Sequence, residues 1–376
     1  MAVTVQQVTD RARLEDFLRL PWEIYRNDPY WVPPLLPEQR RFLDPKRGPF
    51  FEIGEPAYFL AYRHGRPVGR ITAQVNHAYD HHHDRETGFF GFFECHPDAE
   101  AAEALFRAAG AWLAERGKTR LVGPLNFSVY DEMGLLVDGF DTMPAILQTH
   151  NPPYYVDLLT ELGFTKVMDW LALRINERLP DEAAMERLLH KILDGQPLVL
   201  RTLQQGEMRR RAQEVYELFN EAWEPNWGHV PLSRRQFDNL FRELAPLIRP
   251  ELVNLILHDD QVVAFSITVP DLNPVVKELN GRLTPYGRLR LWYAARFAPL
   301  RKVRALVLGV HQPYQGKRLH YALVLNTYFY LARHTPCESC DLSLIPENLT
   351  SYLKALKSLG AKHYKTFRVM GRDISG

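Results

Sequence analysis

Between Pro124 and Tyr155 the chain reads PLNFSVYDEMGLLVDGFDTMPAILQTHNPPYY. This stretch gathers Asn126, Ser128, Tyr130, Asp131, Glu132, Asp138, Asp141, His150, Asn151, Tyr154 and Tyr155 among glycines and prolines. Carboxylates and imidazole are the side chains that take up protons near neutral pH, and amides and phenols orient a bound ligand. Glu132 and His150 are the groups here that could act as bases. Asn126, Tyr130, Asn151 and Tyr154 are the candidate ligand contacts. A loop of this length in a compact domain is functional or disordered, and its apolar and aromatic content argues against disorder.

Two other clusters invite chemistry and carry less. Cys337-Glu-Ser-Cys340 is a lone C-x-x-C, and with Cys95 it brings the cysteines to 3, too few for a disulfide framework and without a second pair for zinc. Reduced thiols near the start of a strand are the expectation. His77, His81, His82, His83 and Asp84 show no fixed ligand spacing and read as a solvated hairpin turn, so no metal is expected. Neither a phosphate-binding P-loop nor a dinucleotide glycine motif is present.

The elements that must position the loop occur twice. NPPYYVDLLTELGF from Asn151 and ENLTSYLKALKSLGA containing Asn348 each place an Asn ahead of a helix that ends on a Gly, Gly163 or Gly360. The hairpin-like run Ala57 to Val75 has the alternation and central turn of Leu252 to Val269. A Trp-bearing helix runs into a Pro-containing turn at Trp22 and again at Trp223. Three matched landmarks in one order imply two copies of one α/β unit. The expected organisation is an N-terminal domain over 1–178, a linker helix within 179–197, and a C-terminal domain over 198–376.

At 376 residues the chain accommodates two such domains within the usual size range. A net charge of +1 gives no global electrostatic reason to expect nucleic acid. The N-terminus lacks the layout of a signal peptide, and no apolar run is long enough to span a bilayer. The expectation is a cytoplasmic protein, either soluble or peripheral to the inner face of the membrane. Between Arg282 and Leu306 lie seven Arg or Lys and no acid, interleaved with Tyr286, Trp292, Tyr293 and Phe297. This composition suits either a basic helix resting on anionic lipid or an ordinary surface helix with its aromatics packed inward.

Alternation and turn residues predict strands near 57–62, 67–76, 89–95 and 120–122, a helix over 98–116, and the Asn151–Gly163 helix followed by a strand. The second half repeats this, with strands at 251–258, 261–269 and 303–310, a helix over 315–334, a strand at 341–345 and a helix from Asn348 to Leu359.

This order, with a final helix closing on GF or GA, resembles the GNAT superfamily of acyl-CoA N-acyltransferases over both halves. The fold implied is α/β: two tandem GNAT-like domains, each a mixed, mostly antiparallel twisted sheet flanked by helices. In that superfamily a strand opens a V-shaped gap in the sheet, and the next helix presents its N-terminus to the CoA pyrophosphate after a Q/R-x-x-G-x-G/A turn. GVHQPYQGKRLHYALV stands at that place in the second half. The resemblance implies acyl-CoA binding by Val310, Gln315, Gly316, Lys317, Arg318 and Asn348. Arg318 and His320 occupy the two later glycine positions, so cations would replace close backbone approach in holding the pyrophosphate. CHPDAEAAEALF in the first half has no such turn and sets Asp98, Glu100 and Glu103 at the helix start, which implies a lost cofactor site there.

The 124–155 wording, with FGFFE before it and NEAWEPNWG in the second half, is similar to a subgroup of duplicated GNAT-like bacterial proteins, some of which resemble long-chain N-acyltransferases of ceramide synthesis. That resemblance implies a long acyl donor, an amine acceptor of sphingoid-base type against the 124–155 segment, and contacts from Trp223 and Trp227. Transfer needs an acceptor for the amine proton and a donor for the departing thiolate. The tyrosine that relatives carry four residues before the helix-ending Gly is Leu159 or Leu356 here. His311 and Tyr352 are the substitutes, beside Glu132 and His150. An aminoacyl-tRNA-dependent transferase of the same duplicated type and a non-catalytic ligand-binding pair remain the alternatives.

Overall fold

The computed structural model describes residues 2–179, 181–204 and 206–374. The chain forms two compact units: Met1–Trp170 with Asn273–Gly287 and Lys365–Gly376, and Leu171–Leu272 with Arg288–Tyr364. Each is a mixed sheet flanked by helices.

In the first unit β1 (Thr4–Gln7), α1 (Arg11–Ile24), α2 (Leu36–Phe42), β2 (Gly54–Arg63), β3 (Arg66–Asn76), α3 (His77–His82), β4 (Thr87–Cys95), α4 (Ala99–Ala114), β5 (Arg120–Gly123), β6 (Leu135–Asp138) and α5 (Tyr154–Glu161) follow in order, and β7 (Thr165–Ile175) leads out. Strands β1 to β4 are an antiparallel meander, and β5 joins β4 in parallel. Helix α4 shows why the order holds. Asp98 caps it by accepting the Ala101 N–H at 3.1 Å. Its buried positions Ala102, Leu105, Phe106, Ala109 and Leu113 recur at three and four residues and meet Phe90 and Phe93 of β4. Gly117, at φ 76°, then ends it in the left-handed conformation that favours glycine.

The second unit holds α6 (Glu182–Leu193), β8 (Leu198–Thr202), α7 (Met208–Trp223), α8 (Arg234–Leu244), β9 (Val253–His258) and β10 (Gln261–Pro270). The chain then places α9 (Asn273–Leu279) in the first unit, and continues with α10 (Pro285–Arg296), β11 (Lys302–Val310), α11 (Leu319–His334), β12 (Ser339–Pro346), α12 (Thr350–Ser358) and β13 (Lys362–Asp373). Strands β8, β9, β10 and β11 are antiparallel neighbours, and β12 joins β11 in parallel. The end of β13 belongs to the first unit, where Met370 pairs with Gly123 of β5 and Thr366 with Asp138 of β6. Helix α6, expected as a linker, packs Leu189 and Ile192 on Leu319 and Leu323 in the second unit's core.

The repetition survives in detail. Gly163 and Gly360 both end their helices in the left-handed region, at φ 79° and 80°. In both units the strand beside the parallel partner carries one extra residue: Arg70 pairs with Glu94 and Thr72 with Gly91, and Ile267 pairs with Val307 and Thr268 with Ala305. Each bulge lies where the parallel pair parts. Two sequence expectations need correction. Residues His77–His82 form a short helix, capped by Asn76 accepting the Tyr79 N–H at 3.0 Å, where an open turn was expected. The 124–155 segment contains a strand, β6, because β13 offers it an edge.

Candidate functional site

In the first unit the backbone after β5 crosses directly over β4. A Cβ on Gly91 would lie 1.9 Å from the Leu125 carbonyl oxygen, so only glycine permits the crossing. The bulge at Phe92 and Phe93 releases the Phe92 N–H, which donates to Asn126 Oδ1 at 2.8 Å. The other end of that amide, Nδ2, donates to Glu132 Oε2 at 3.1 Å. Asn126 therefore ties the loop to the strand and positions a carboxylate in one step.

The bulge also aims Glu94, at the end of β4, into a cavity of about 390 Å³. Tyr155 Oη donates to Glu94 Oε2 at 2.8 Å while accepting the Cys95 N–H at 2.8 Å. Tyr25 Oη lies 2.8 Å from the same carboxylate oxygen and 3.0 Å from the His150 carbonyl, sharing its proton between them. Arg70 stands 3.7 Å from Glu94 Oε1 and donates to the Phe17 carbonyl at 2.7 Å. Burial raises the Glu94 pKa to about 6 against the opposing pull of Arg70 and the two phenols. Burial likewise raises Glu132, opposed by the Asn126 hydrogen bond. Both carboxyls thus take up protons more readily than a surface acid.

His150 completes the cluster. Its Nε2 is 2.8 Å from Asp28 Oδ2. Burial lowers the imidazole pKa more than Asp28 raises it. Burial also acts to raise Asp28, but His150 and the Tyr30 and Trp31 amides outweigh it and hold the carboxylate ionised. A neutral imidazole beside an ionised carboxylate donates from Nε2 and keeps a lone pair on Nδ1. That Nδ1 is buried and has no hydrogen-bond partner among the described residues, and the side chain is only 4% exposed. Oriented imidazole with a free lone pair is the arrangement of a general base.

Of the residues expected here from sequence, Asn126, Glu132, His150 and Asn151 line the cavity. Asn151 clamps β6, accepting the Leu136 N–H at 2.7 Å and donating to the Leu136 carbonyl at 3.1 Å. Tyr130 lies in a turn closed by its N–H to Ser128 Oγ at 3.2 Å. Tyr154 donates to the Cys95 carbonyl at 2.7 Å. Together Tyr154 and Tyr155 occupy the Cys95 C=O and N–H at the end of β4. Glu94, Arg70, Tyr25 and Asp28 were missed by the sequence reading. A lone acid ending GFFGFFEC and a lone arginine in VGRITAQV are buried charges in strands, the signal that could have found two of them.

In the second unit β11 and β12 pair from Lys302↔Ser339 to Ala305↔Leu342 and then diverge. The opening holds a cavity of about 520 Å³ lined by Leu306, Val307, Leu308, Leu342, Leu344 and Ile345 among others, so its wall is largely apolar. Trp223 reaches it and donates from Nε1 to the Leu308 carbonyl at 3.3 Å. Trp227, half-buried in the following turn, is not among its lining residues. Tyr352 lines it, its hydroxyl pKa raised by burial, with the His320 ring 5.8 Å away edge to face. Cys340 and Cys337 also line it as free thiols whose pKa burial pushes up, so neither is poised as a nucleophile.

Beyond β11, Val310 accepts from Gln315 Nε2 at 3.4 Å, and Gly316 and Arg318 turn the chain at φ 86° and 62°. Helix α11 begins at Leu319 with no side-chain cap, leaving its first N–H groups beside the exposed Lys317 and Arg318. Lys317 Nζ sits 4.9 Å over the Tyr314 ring. His311 Nδ1 is 2.7 Å from Glu221, which also accepts the Gln312 N–H at 2.9 Å. Asn348 is exposed ahead of α12 and does not line the cavity. Among the described residues no group of three His, Cys, Asp or Glu is arranged to hold a metal ion, and no helix is long and apolar enough to cross a membrane.

No family profile matches the chain. It is 32% identical over 379 aligned positions to bacterial ceramide synthase of Caulobacter vibrioides, covering 99% of this chain and 98% of that protein. It is 29% identical to Protein YghO of Escherichia coli, covering 98% and 95%. Among solved structures it is similar to a tandem GNAT protein from the clavulanic acid biosynthesis pathway, with a TM-score of 0.57 at 13% identity over 100% and 99% of the two chains. A GCN5-related N-acetyltransferase from Sphaerobacter thermophilus gives 0.54 at 13% identity over 100% and 96%.

Proposed function

We propose a reaction from the premise that this chain belongs to the family of bacterial ceramide synthase, acyltransferases built on the tandem GNAT fold: it moves a long acyl group from acyl-CoA to the amine of a lipid-like acceptor of the sphingoid-base class. The observation that carries the donor half is the opening between β11 and β12. It holds an apolar cavity of about 520 Å³ whose lining includes Gln315, and the turn that follows Gln315 leads into an uncapped, cation-flanked helix N-terminus. Strand edges freed beyond Ala305 suit the amides of a pantetheine arm, the apolar wall suits an acyl chain, and Lys317 with Arg318 suits a pyrophosphate. The first unit does not offer the same slot, because Tyr154 and Tyr155 take up the Cys95 backbone groups.

The acceptor belongs with the cavity of the first unit. Glu94 and Glu132 supply the negative charge that draws an ammonium, and Glu94 or His150 Nδ1 accepts the proton it must lose. The freed nitrogen attacks the thioester carbonyl, a C–N bond forms as the C–S bond breaks, the nitrogen gives up its second proton to the other of these two groups, and the thiolate is protonated as it leaves. Tyr352, which lines the second unit's cavity, is the acid assigned to the thiolate, although burial makes its hydroxyl a weaker proton donor, and His311, oriented by Glu221, is the reserve. The same reading has the enzyme work in the cytoplasm at the inner face of the membrane, where long-chain substrates partition.

The test is a calorimetric and thermal-shift titration with CoA, acetyl-CoA and a long-chain acyl-CoA, since a ligand of the native state raises its apparent stability. Binding should strengthen with chain length and weaken by about tenfold or more in a Lys317→Ala, Arg318→Ala double variant, the loss of two charge-assisted contacts. No binding of any of the three would overturn the donor assignment in favour of an aminoacyl-tRNA donor, for which co-purifying RNA is the check.

A further inference from the structure

Helix α10 is built inside out. On an ordinary surface helix the large apolar side chains face the protein and the charges face water. Here the buried positions are the small residues Gly287 and Ala295, while Tyr286, Leu289, Trp292, Tyr293 and Phe297 are 73%, 59%, 52%, 57% and 59% exposed. Among the described residues the only other large apolar side chain so exposed is Val199. Positions 286, 289, 293 and 297 recur at three and four residues, so they share one face. The Trp292 and Phe297 rings meet edge to face at 5.0 Å, a cluster that packs on itself in solvent.

The exposure is not that of a loose segment. Arg249 is buried and donates to three carbonyls at the helix C-terminus, Ala295 at 2.7 Å, Ala294 at 3.2 Å and Ala298 at 2.8 Å. That guanidinium satisfies the end of the helix and fixes the direction in which the aromatic face points. Arg282, Arg288 and Arg296 in and beside the helix and Lys302 after it are exposed, and residues 282–306 include no acid; Arg301 is paired with Glu338. A protein partner of matching shape would need an acidic rim. An anionic bilayer supplies both a negative surface and an apolar layer in which Trp and Tyr sit with their polar edges at the headgroups.

We propose that α10 docks the protein on an anionic bilayer, lying in the plane of the interface with Trp292, Tyr293 and Phe297 inserted below the headgroups and the arginines among the phosphates. This deepens the lipid-substrate reading but does not depend on its chemistry, since docking is read without donor or acceptor present. The test is co-sedimentation of the full chain with vesicles of phosphatidylcholine alone and of phosphatidylcholine mixed with phosphatidylglycerol. Binding should require the anionic lipid and fall as salt shortens the screening length. A Trp292→Ser, Phe297→Ser variant should bind on the order of tenfold more weakly or worse. An Arg282→Gln, Arg288→Gln variant should lose about fivefold for each charge removed. All four side chains are exposed, so both variants should melt as the parent does and still bind CoA.

Failure to sediment with anionic vesicles would overturn the proposal, as would undiminished binding by both variants. A dimer in light scattering that the Trp292→Ser, Phe297→Ser change converts to monomer would show the face to be covered by a second copy instead. Intact CoA binding in any of these cases would leave the acyltransferase reading standing.

Discussion

Replacing Glu94 by glutamine tests the proton-handling role assigned to the first unit's cavity. The folded site raises this carboxyl from 4.5 to about 6, and at about 1.4 kcal/mol per pH unit the charged form is disfavoured by about 2 kcal/mol. A raised carboxyl binds its proton more tightly in the folded than in the unfolded chain. Its contribution to stability is therefore fully present below 4.5, is lost as pH rises through 6, and leaves a constant deficit above that. In Glu94→Gln this dependence disappears, while the absolute stability also carries the change in the Arg70, Tyr25 and Tyr155 contacts. The informative quantity is thus the difference in slope: denaturant unfolding between pH 4.5 and 6.5 should show the parent losing about 1.5 kcal/mol relative to the variant. In an acyl-transfer assay the parent's kcat/KM should fall on the acid side of pH 6, and the glutamine variant should be slower by about 10²–10⁴-fold. Parallel stability profiles in the two proteins, or an unaltered rate profile in Glu94→Gln, would refute the assignment of a raised, proton-accepting carboxyl at this position.

Two further outcomes follow from the packing. Gly91→Ala puts a methyl 1.9 Å from the Leu125 carbonyl, so it should destabilise by about 1–3 kcal/mol in denaturant unfolding and displace Asn126 and Glu132 from the cavity, with activity falling further than stability alone explains. Ala305→Phe fills the mouth of the opening between β11 and β12, where Ala305 is the last residue paired to β12. It should abolish the gain in affinity from acetyl-CoA to long-chain acyl-CoA in the titration while leaving the affinity for CoA within a few fold, because the cations of the α11 turn are untouched.

Most of the fold was legible because the chain states it twice. The alternation of the two hairpins, the periodic apolar face of α4 and the glycines ending α5 and α12 each have a local cause that a sequence displays. What was not legible depends on long-range partners. Strand β6 exists because β13 supplies an edge, and the segment 273–287 belongs to the first unit through contacts such as Asn273 Nδ2 to the Pro144 carbonyl at 2.8 Å and Trp22 Nε1 to Asn280 Oδ1 at 2.8 Å. The loop holding Asn126, Glu132, His150 and Asn151 could be recognised by composition, yet its companions could not. Tyr25 and Asp28 come from the other side of the cavity, some hundred residues away, and nothing in their neighbourhood marks them.

The duplication also explains why the two openings differ in chemistry. Both units part their parallel strands beside the same one-residue bulge, and a bulge re-aims the side chains that follow it. In β4 the residue so aimed is Glu94, and the gap around it is filled by two tyrosines on α5, a buried arginine and an amide. In β11 the strand continues as Leu306, Val307 and Leu308, and the gap stays open and apolar. One copy therefore gathers carboxyls in its gap and occupies the Cys95 backbone groups with tyrosines, while the other keeps an apolar gap and carries no carboxylate on that stretch of strand, which is the division that the proposed reaction uses. A single ancestral unit would need both properties in one gap, where an apolar acyl wall and a pair of buried carboxyls oppose each other through desolvation. Under the proposed reaction, dividing them between copies lets the apolar cavity lengthen without raising the carboxyl pKa further. On this account, enlarging the apolar wall of the second unit should change chain-length preference and leave the acid limb of the rate profile where Glu94 sets it.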